Sequence, residues 1–167
     1  MDIRPPAAWC RALFAATVMA LTCPGSASAQ SCQTPLPIIT GIVQGFDTCQ
    51  SANHLPSLGP LPSPHPDIVH VFEAAPGLQG GIQIWRQPGT PPLTVVLLAG
   101  ACNAATMPVA AWNLSDGPAQ IPASGWPAGP VHVVVTGDPD VPGSVCGAYQ
   151  ITAEGLLVDR IFRSRFE

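Results

Sequence analysis

The stretch "SPHPDIVHVF", residues 63–72, decides how this chain is read, because it places His65, Asp67 and His70 within six positions. As a metal-binding loop it would open a hydrolytic centre; as a strand it would open a buried sheet. Alternation of side chains favours the strand. On an extended backbone His65 and Asp67 share a face, whereas His70 lies an odd number of residues from both and points away. Pro64 and Pro66 also limit how the backbone around His65 can curl to bring ligands together. The strand reading gives two stripes, Ile68, His70 and Phe72 on one face and Val69, Val71 and Glu73 on the other. Asp67 then serves as a turn residue that accepts nearby backbone N–H groups. The competing reading is a metal-dependent hydrolase using His65, Asp67 and another histidine, His54 or His132, and it requires a site completed from elsewhere in the chain.

Working outward, similar segments stand between breaks of proline and glycine. They are "LPIITGIVQG" at 36–45, "DIVHVFEA" at 67–74, "LQGGIQIWRQ" at 78–87, "PLTVVLLAGA" at 92–101, "MPVAAWN" at 107–113, "VHVVVTG" at 131–137 and "GAYQITAEG" at 147–155. Between Gln30 and Gly155 proline or glycine interrupts nearly every window of a dozen residues, so no long amphipathic helix is expected there. The spacing predicts an all-β, jelly-roll-like sandwich of about seven to eight antiparallel strands. In the last segment Tyr149, Ile151 and Ala153 share one face and Gln150, Thr152 and Glu154 the other, so one side is core and one is wet. "VHVVV" and "TVVLLA" lack that contrast and read as inner strands covered on both faces. "LPSLGPLPSPHP", residues 55–66, carries five prolines and reads as a connector within the same domain.

Residues 1–29 read as a secretory signal peptide: Arg4 and Arg11 precede the apolar run "ALFAATVMAL", and "ASA" at 27–29 supplies the small residues of a cleavage site. Cys23, preceded by Thr22, is the alternative of a lipid attachment point. The apolar run is shorter than the roughly 20 residues that span a bilayer, and no membrane span is expected elsewhere. The remaining chain, about 138 residues, suits one domain at 30–155 followed by a tail at 156–167, and a monomer is expected. Beyond the leader, Arg86, Arg160, Arg163 and Arg165 face nine carboxylates, and the chain has no lysine. A nucleic acid backbone would find almost no counter-charge there.

Cys32, Cys49, Cys102 and Cys146 follow the leader. An even number in an exported chain argues for two disulfides, and none of the spacings is the close pair of a zinc site. Of three possible connectivities, pairing of sequence neighbours gives Cys32–Cys49 and Cys102–Cys146.

Three segments together, "PDIVHVFEAAPGLQGGIQI" (66–84), "LTVVLLAGAC" (93–102) and "GPVHVVVTGDPDVPGSVCGAYQITA" (129–153), resemble the bacterial pre-peptidase C-terminal domain. That family runs from a Pro-Asp-led strand to a Gly-x-Tyr-x-Leu finish, here Gly147, Tyr149 and Ile151. The likeness covers most of residues 37–155. It departs where His70 replaces a common Tyr and where the Pro-rich segment precedes the Asp strand. The resemblance implies a compact sandwich that accompanies exported enzymes, has no catalytic machinery, and in some members binds protein or carbohydrate surfaces, sometimes with calcium. Six or more oxygens for calcium are not evident; "GDPD", with Asp138 and Asp140, is the one candidate, and turn chemistry accounts for it. No cofactor is expected.

Catalytic motifs are missing: "GSVCG" at 143–147 has Val145 where a nucleophile elbow carries its nucleophile. The candidate ligand-binding residues are Trp85, Trp112 and Trp126, which could stack on sugar rings or anchor a protein. Core packing is the plainer expectation for Trp85 and Trp112; Trp126, in the loop "SGWPAG", is the best exposed candidate. The tail "LLVDRIFRSRFE" interleaves three arginines with Ile161, Phe162 and Phe166, and resembles an "IFxxGFE" terminus of some exported bacterial proteins, with Arg165 in place of the glycine. It reads as a sorting signal, as a peptide that packs on a partner, or as an ordinary chain end. The leading functional expectation is an exported, non-catalytic module that recognises a polysaccharide or protein surface; an export or folding accessory without a stable ligand is a further alternative.

Overall fold

A computed structural model describes residues 31–156. The expected signal peptide and residues 157–167 lie outside them. In chain order the elements are β1 (Leu36–Pro37), β2 (Gln44–Asp47), a 3-10 turn (Thr48–Gln50), β3 (Ser57–Leu58), β4 (Leu61–Pro62), β5 (Asp67–Ala74), β6 (Gly81–Arg86), β7 (Leu93–Ala99), β8 (Ala110–Asn113), β9 (Ala119–Pro122), β10 (Gly129–Gly137) and β11 (Ala148–Glu154). The described residues contain no α-helix.

The strands form a five-stranded sheet, β1-β5-β10-β7-β8, a four-stranded sheet, β2-β11-β6-β9, and the hairpin β3-β4. All pairs are antiparallel except β1 with β5. The expected strand segments are present, but two expectations change. The segment 36–45 is divided between the sheets, because Gly41 adopts φ +76° and donates its N–H to the Ala153 carbonyl. β9, a four-residue "AQIP" between Pro118 and the loop around Trp126, is too short and proline-bounded to stand out in the sequence.

The two sheets stack through one main core. Ile68 and Phe72 of β5, Val131, Val133 and Val135 of β10, and Leu93, Val95 and Leu97 of β7 meet Ile82 and Ile84 of β6, Ile121 of β9 and Tyr149, Ile151 and Ala153 of β11. A second, smaller core lies on the outer face of the five-stranded sheet, where Leu55 and Leu58 cover Val69, Val96, Leu98 and Val134. The Pro-rich connector is therefore a packed layer, and the central strands are apolar on both faces because both faces are covered. Leu156 is buried in the main core, and its carbonyl accepts a hydrogen bond from Thr40 Oγ1.

The disulfides are Cys32–Cys102 and Cys49–Cys146, not the neighbouring pairs Cys32–Cys49 and Cys102–Cys146. The reason is topological. Cys32 packs on the second core with Cys102, whereas Cys49 follows β2 in the opposite sheet, beside the chain that enters β11. There Thr48 N–H donates to the Gly147 carbonyl at 3.0 Å and Gly147 N–H to Thr48 Oγ1 at 2.9 Å. The bridges span 70 and 97 residues of sequence, so chain entropy would credit each alone with roughly 4 to 5 kcal/mol.

Candidate ligand-binding face

His65, Asp67 and His70 are all buried, and the fold gives each a separate task. Asp67 opens β5 and turns toward the Pro-rich layer. Its Oδ2 accepts the N–H groups of His54 at 2.9 Å and Leu55 at 2.8 Å, while Oδ1 has no protein partner. Burial pushes the Asp67 carboxyl above its ordinary range; the two backbone bonds and the charge of His54 pull in the other direction. His65 Nδ1 accepts the Val145 N–H at 3.0 Å. Its ring packs so closely that a Cβ at Gly137 would sit 2.6 Å from His65 Cγ and 2.4 Å from the Val145 carbonyl oxygen.

His70 faces the other way, into the space between the sheets. Its Nε2 lies 2.6 Å from Tyr149 Oη, and Phe46 meets its ring edge-on with centroids 4.7 Å apart. Burial holds its pKa down to about 3, so it is neutral at physiological pH, and the same burial pushes the Tyr149 phenol up. His132, also buried, has its pKa lowered by burial against the opposing effects of Glu73 and the Gly100 backbone. No three His, Cys, Asp or Glu side chains come together to hold an ion among the described residues. Asp138 is a turn residue: its Oδ1 accepts the Asp140 N–H at 3.0 Å and its Oδ2 the Asn113 amide at 2.6 Å.

The tryptophans divide between core and surface. Trp112 lies opposite Val95 on β8, and its side chain is partly buried against the main core. Trp126, marked by its loop as the exposed candidate, is also partly buried there and donates its indole N–H to the Pro122 carbonyl at 2.6 Å. Trp85, for which the core was the plainer expectation, follows Ile82 and Ile84 on β6; these two point inward, so Trp85 turns out with Gln83.

The outer face of the four-stranded sheet is consequently built in rows. Gln120 of β9, Gln83 of β6 and Thr152 of β11 stand opposite one another, and two residues along the same strands Trp85 stands opposite Gln150. Gly81 lies between Pro122 and Glu154 in the preceding row. Having no side chain, it helps form a groove of about 380 Å³ that Gln83, Gln120, Thr152 and Glu154 line. These side chains are exposed or half-buried, and among the described residues they make no hydrogen bond to the protein. The period-two pattern of 147–155 marks Gln150, Thr152 and Glu154 as wet. Gln83, Gln120 and Trp85 are missed as their companions, because the cross-strand register that joins them is not written in any one segment.

A second concavity of about 230 Å³ lies on the outer face of the other sheet, between hairpin β3-β4 and strands β7 and β8, with Asp138 and Asp140 at one end.

No family model matches the chain, and no curated protein matches it. Among solved structures, the crystal structure of PirA is similar to it at 13% identity and a TM-score of 0.42, over 70% of this chain and 96% of that one. That likeness is too distant to carry an argument about either fold or function.

Among the described residues no helix is long and apolar enough to cross a membrane.

Proposed function

We propose that the chain is an exported, non-catalytic module that binds a neutral polysaccharide on the outer face of its four-stranded sheet. One observation carries the reading: the row Gln120–Gln83–Thr152 lies beside the row Trp85–Gln150, with every one of these side chains turned outward. A pyranose ring offers an apolar face and a rim of hydroxyls. The indole of Trp85 suits the first. Each glutamine amide offers two donors and an acceptor to the second, and Thr152 adds a hydroxyl. Strands about 4.8 Å apart hold these groups at spacings that a flexible loop would not maintain.

Charge narrows the ligand to neutral sugars. The described residues contain one arginine, Arg86, against seven carboxylates, and the Arg86 guanidinium is engaged with the Thr90 carbonyl. An anionic polysaccharide would meet Glu154 without any counter-charge in the groove. The leader and two disulfides support an oxidising compartment. The resemblance of residues 37–155 to pre-peptidase C-terminal domains supports a module that accompanies enzymes rather than one that catalyses. The residues a hydrolase would draw on, His65 and Asp67, are buried and bonded to backbone N–H groups.

Affinity electrophoresis in gels containing neutral or anionic polysaccharides tests this directly. Retardation by a neutral glucan, mannan or chitin derivative, lost in Trp85→Ala, is the expected result. Retardation only by anionic polymers would overturn it.

A further inference from the structure

The outer face of the five-stranded sheet carries a second surface, independent of the glycan reading. The groove beneath hairpin β3-β4 has Leu58 and Val96 in its lining, with Leu61 and Pro62 on one side and Ala111 on the other. It runs into an apolar rim where Leu61 is 50%, Val109 50% and Met107 62% exposed. Ala111 is opposite Val96 on the outer face, and Val109, two residues earlier, continues that stripe. Met107 adjoins the hairpin turn, since a Cβ at Gly59 would lie 2.9 Å from its Sδ. β8 is also a sheet edge, paired with β7 alone. Edges are ordinarily blunted by charge or proline. β1 contains Pro37 and β9 ends in Pro122, but from Val109 to Asn113 there is neither.

The polar end of the groove is anionic, through Asp138 and Asp140. The described residues are poor partners for it, because their single arginine is Arg86. Residues 157–167, "LVDRIFRSRFE", have the opposite chemistry: Arg160, Arg163 and Arg165 interleaved with Ile161, Phe162 and Phe166. Leu156, from which that segment continues, bonds Thr40 at the end of the sandwich where β10 begins. The groove lies at the end where β10 finishes, roughly 27 Å away along a nine-residue strand. An extended chain gains at most about 14 Å from Leu156 to Arg160 and about 25 Å to Arg163, so in its own copy only Arg165 comes within reach of Asp138 and Asp140, whereas a neighbouring copy's groove can take all three arginines.

We infer that residues 157–167 of one copy dock in this groove of a second copy, arginines toward Asp138 and Asp140 and apolar side chains toward Leu61, Val109 and Ala111. Such contact is head-to-tail, so it builds rings or open arrays rather than two-fold dimers.

Sedimentation velocity of the full chain across a concentration series is the test. The expected result is reversible association that an excess of synthetic LVDRIFRSRFE peptide dissolves. Val109→Asp and Asp140→Arg should each weaken it by roughly tenfold, equivalent to about 1.4 kcal/mol, with unchanged circular dichroism. Combining Asp140→Arg with the triple variant Arg160→Glu, Arg163→Glu, Arg165→Glu should restore part of the loss. A chain that stays monomeric at every concentration and ignores the peptide would overturn the inference. So would association that persists in the triple arginine variant alone, which would place the contact on another face, including β8 paired with β8.

Discussion

His70 Nε2 and Tyr149 Oη lie 2.6 Å apart, and this bond joins the five-stranded sheet to the four-stranded sheet across the main core. Both side chains are buried, so neither can turn to water for another partner. Tyr149→Phe leaves Nε2 of His70 unpaired beside an Nδ1 that already has no protein partner. A loss of about 1–3 kcal/mol of stability is expected, measured by urea unfolding at neutral pH. An unchanged midpoint would mean that the bond contributes nothing.

The same pair sets an acid limit. Folded His70 titrates at about 3, well below the ordinary 6.5, so the unfolded chain binds the extra proton first as pH falls. Its contribution is therefore complete above pH 6.5 and is lost on acidification toward 3, at up to about 1.4 kcal/mol per pH unit. His132, also lowered, acts in the same sense. Asp67, whose carboxyl is raised, acts in the opposite sense, and only between 3.8 and its folded value. His70→Phe is expected to flatten the stability profile below pH 6.5, at some cost in stability at neutral pH, as read from denaturant midpoints between pH 4 and 7.

Asp67 anchors the Pro-rich layer through the His54 and Leu55 N–H groups. Asp67→Ala strips both donors of their acceptor, and a loss of about 2–4 kcal/mol is expected. Asp67→Asn keeps an acceptor oxygen and removes the cost of a buried charge, so it should lie within about 1 kcal/mol of the parent. Asp67→Leu, which fills the site without an acceptor, distinguishes the roles in thermal unfolding: anchoring makes it as costly as Asp67→Ala, whereas mere space filling would make it as mild as Asp67→Asn.

Peptide mapping without reduction should return Cys32 joined to Cys102 and Cys49 joined to Cys146. Replacing Cys49 and Cys146 together by serine is expected to cost about 2–5 kcal/mol. Recovery of peptides joining Cys32 to Cys49 would contradict the sheet assignment of β2.

Local rules reached a definite depth here. Alternation alone placed His70 opposite to Asp67, marked β5 and β11, and identified the doubly covered runs of β7 and β10. What it did not reach depends on contacts between distant segments. The cysteines pair across 70 and 97 residues because β1 and β2 enter different sheets, a fact with no short-range signature. Trp126 lies in a loop yet packs on the core, a contact that its local sequence does not mark, whereas Trp85 faces out by the same alternation that turns Ile82 and Ile84 in, a signal present within the strand itself. The amide row on the outer face becomes legible only when β6, β9 and β11 are laid side by side.

The central claim is that a neutral glycan binds on that row. Affinity electrophoresis of the parent, Trp85→Ala, the double variant Gln83→Ala, Gln120→Ala, and Trp112→Ala, against one panel of neutral polysaccharides, tests it most directly. The expected result is retardation of the parent and of Trp112→Ala, with at least roughly tenfold weaker retention, about 1.4 kcal/mol, in Trp85→Ala and in the glutamine double variant. Equal retention of parent and Trp85→Ala on every polymer, or retention of none, would contradict it.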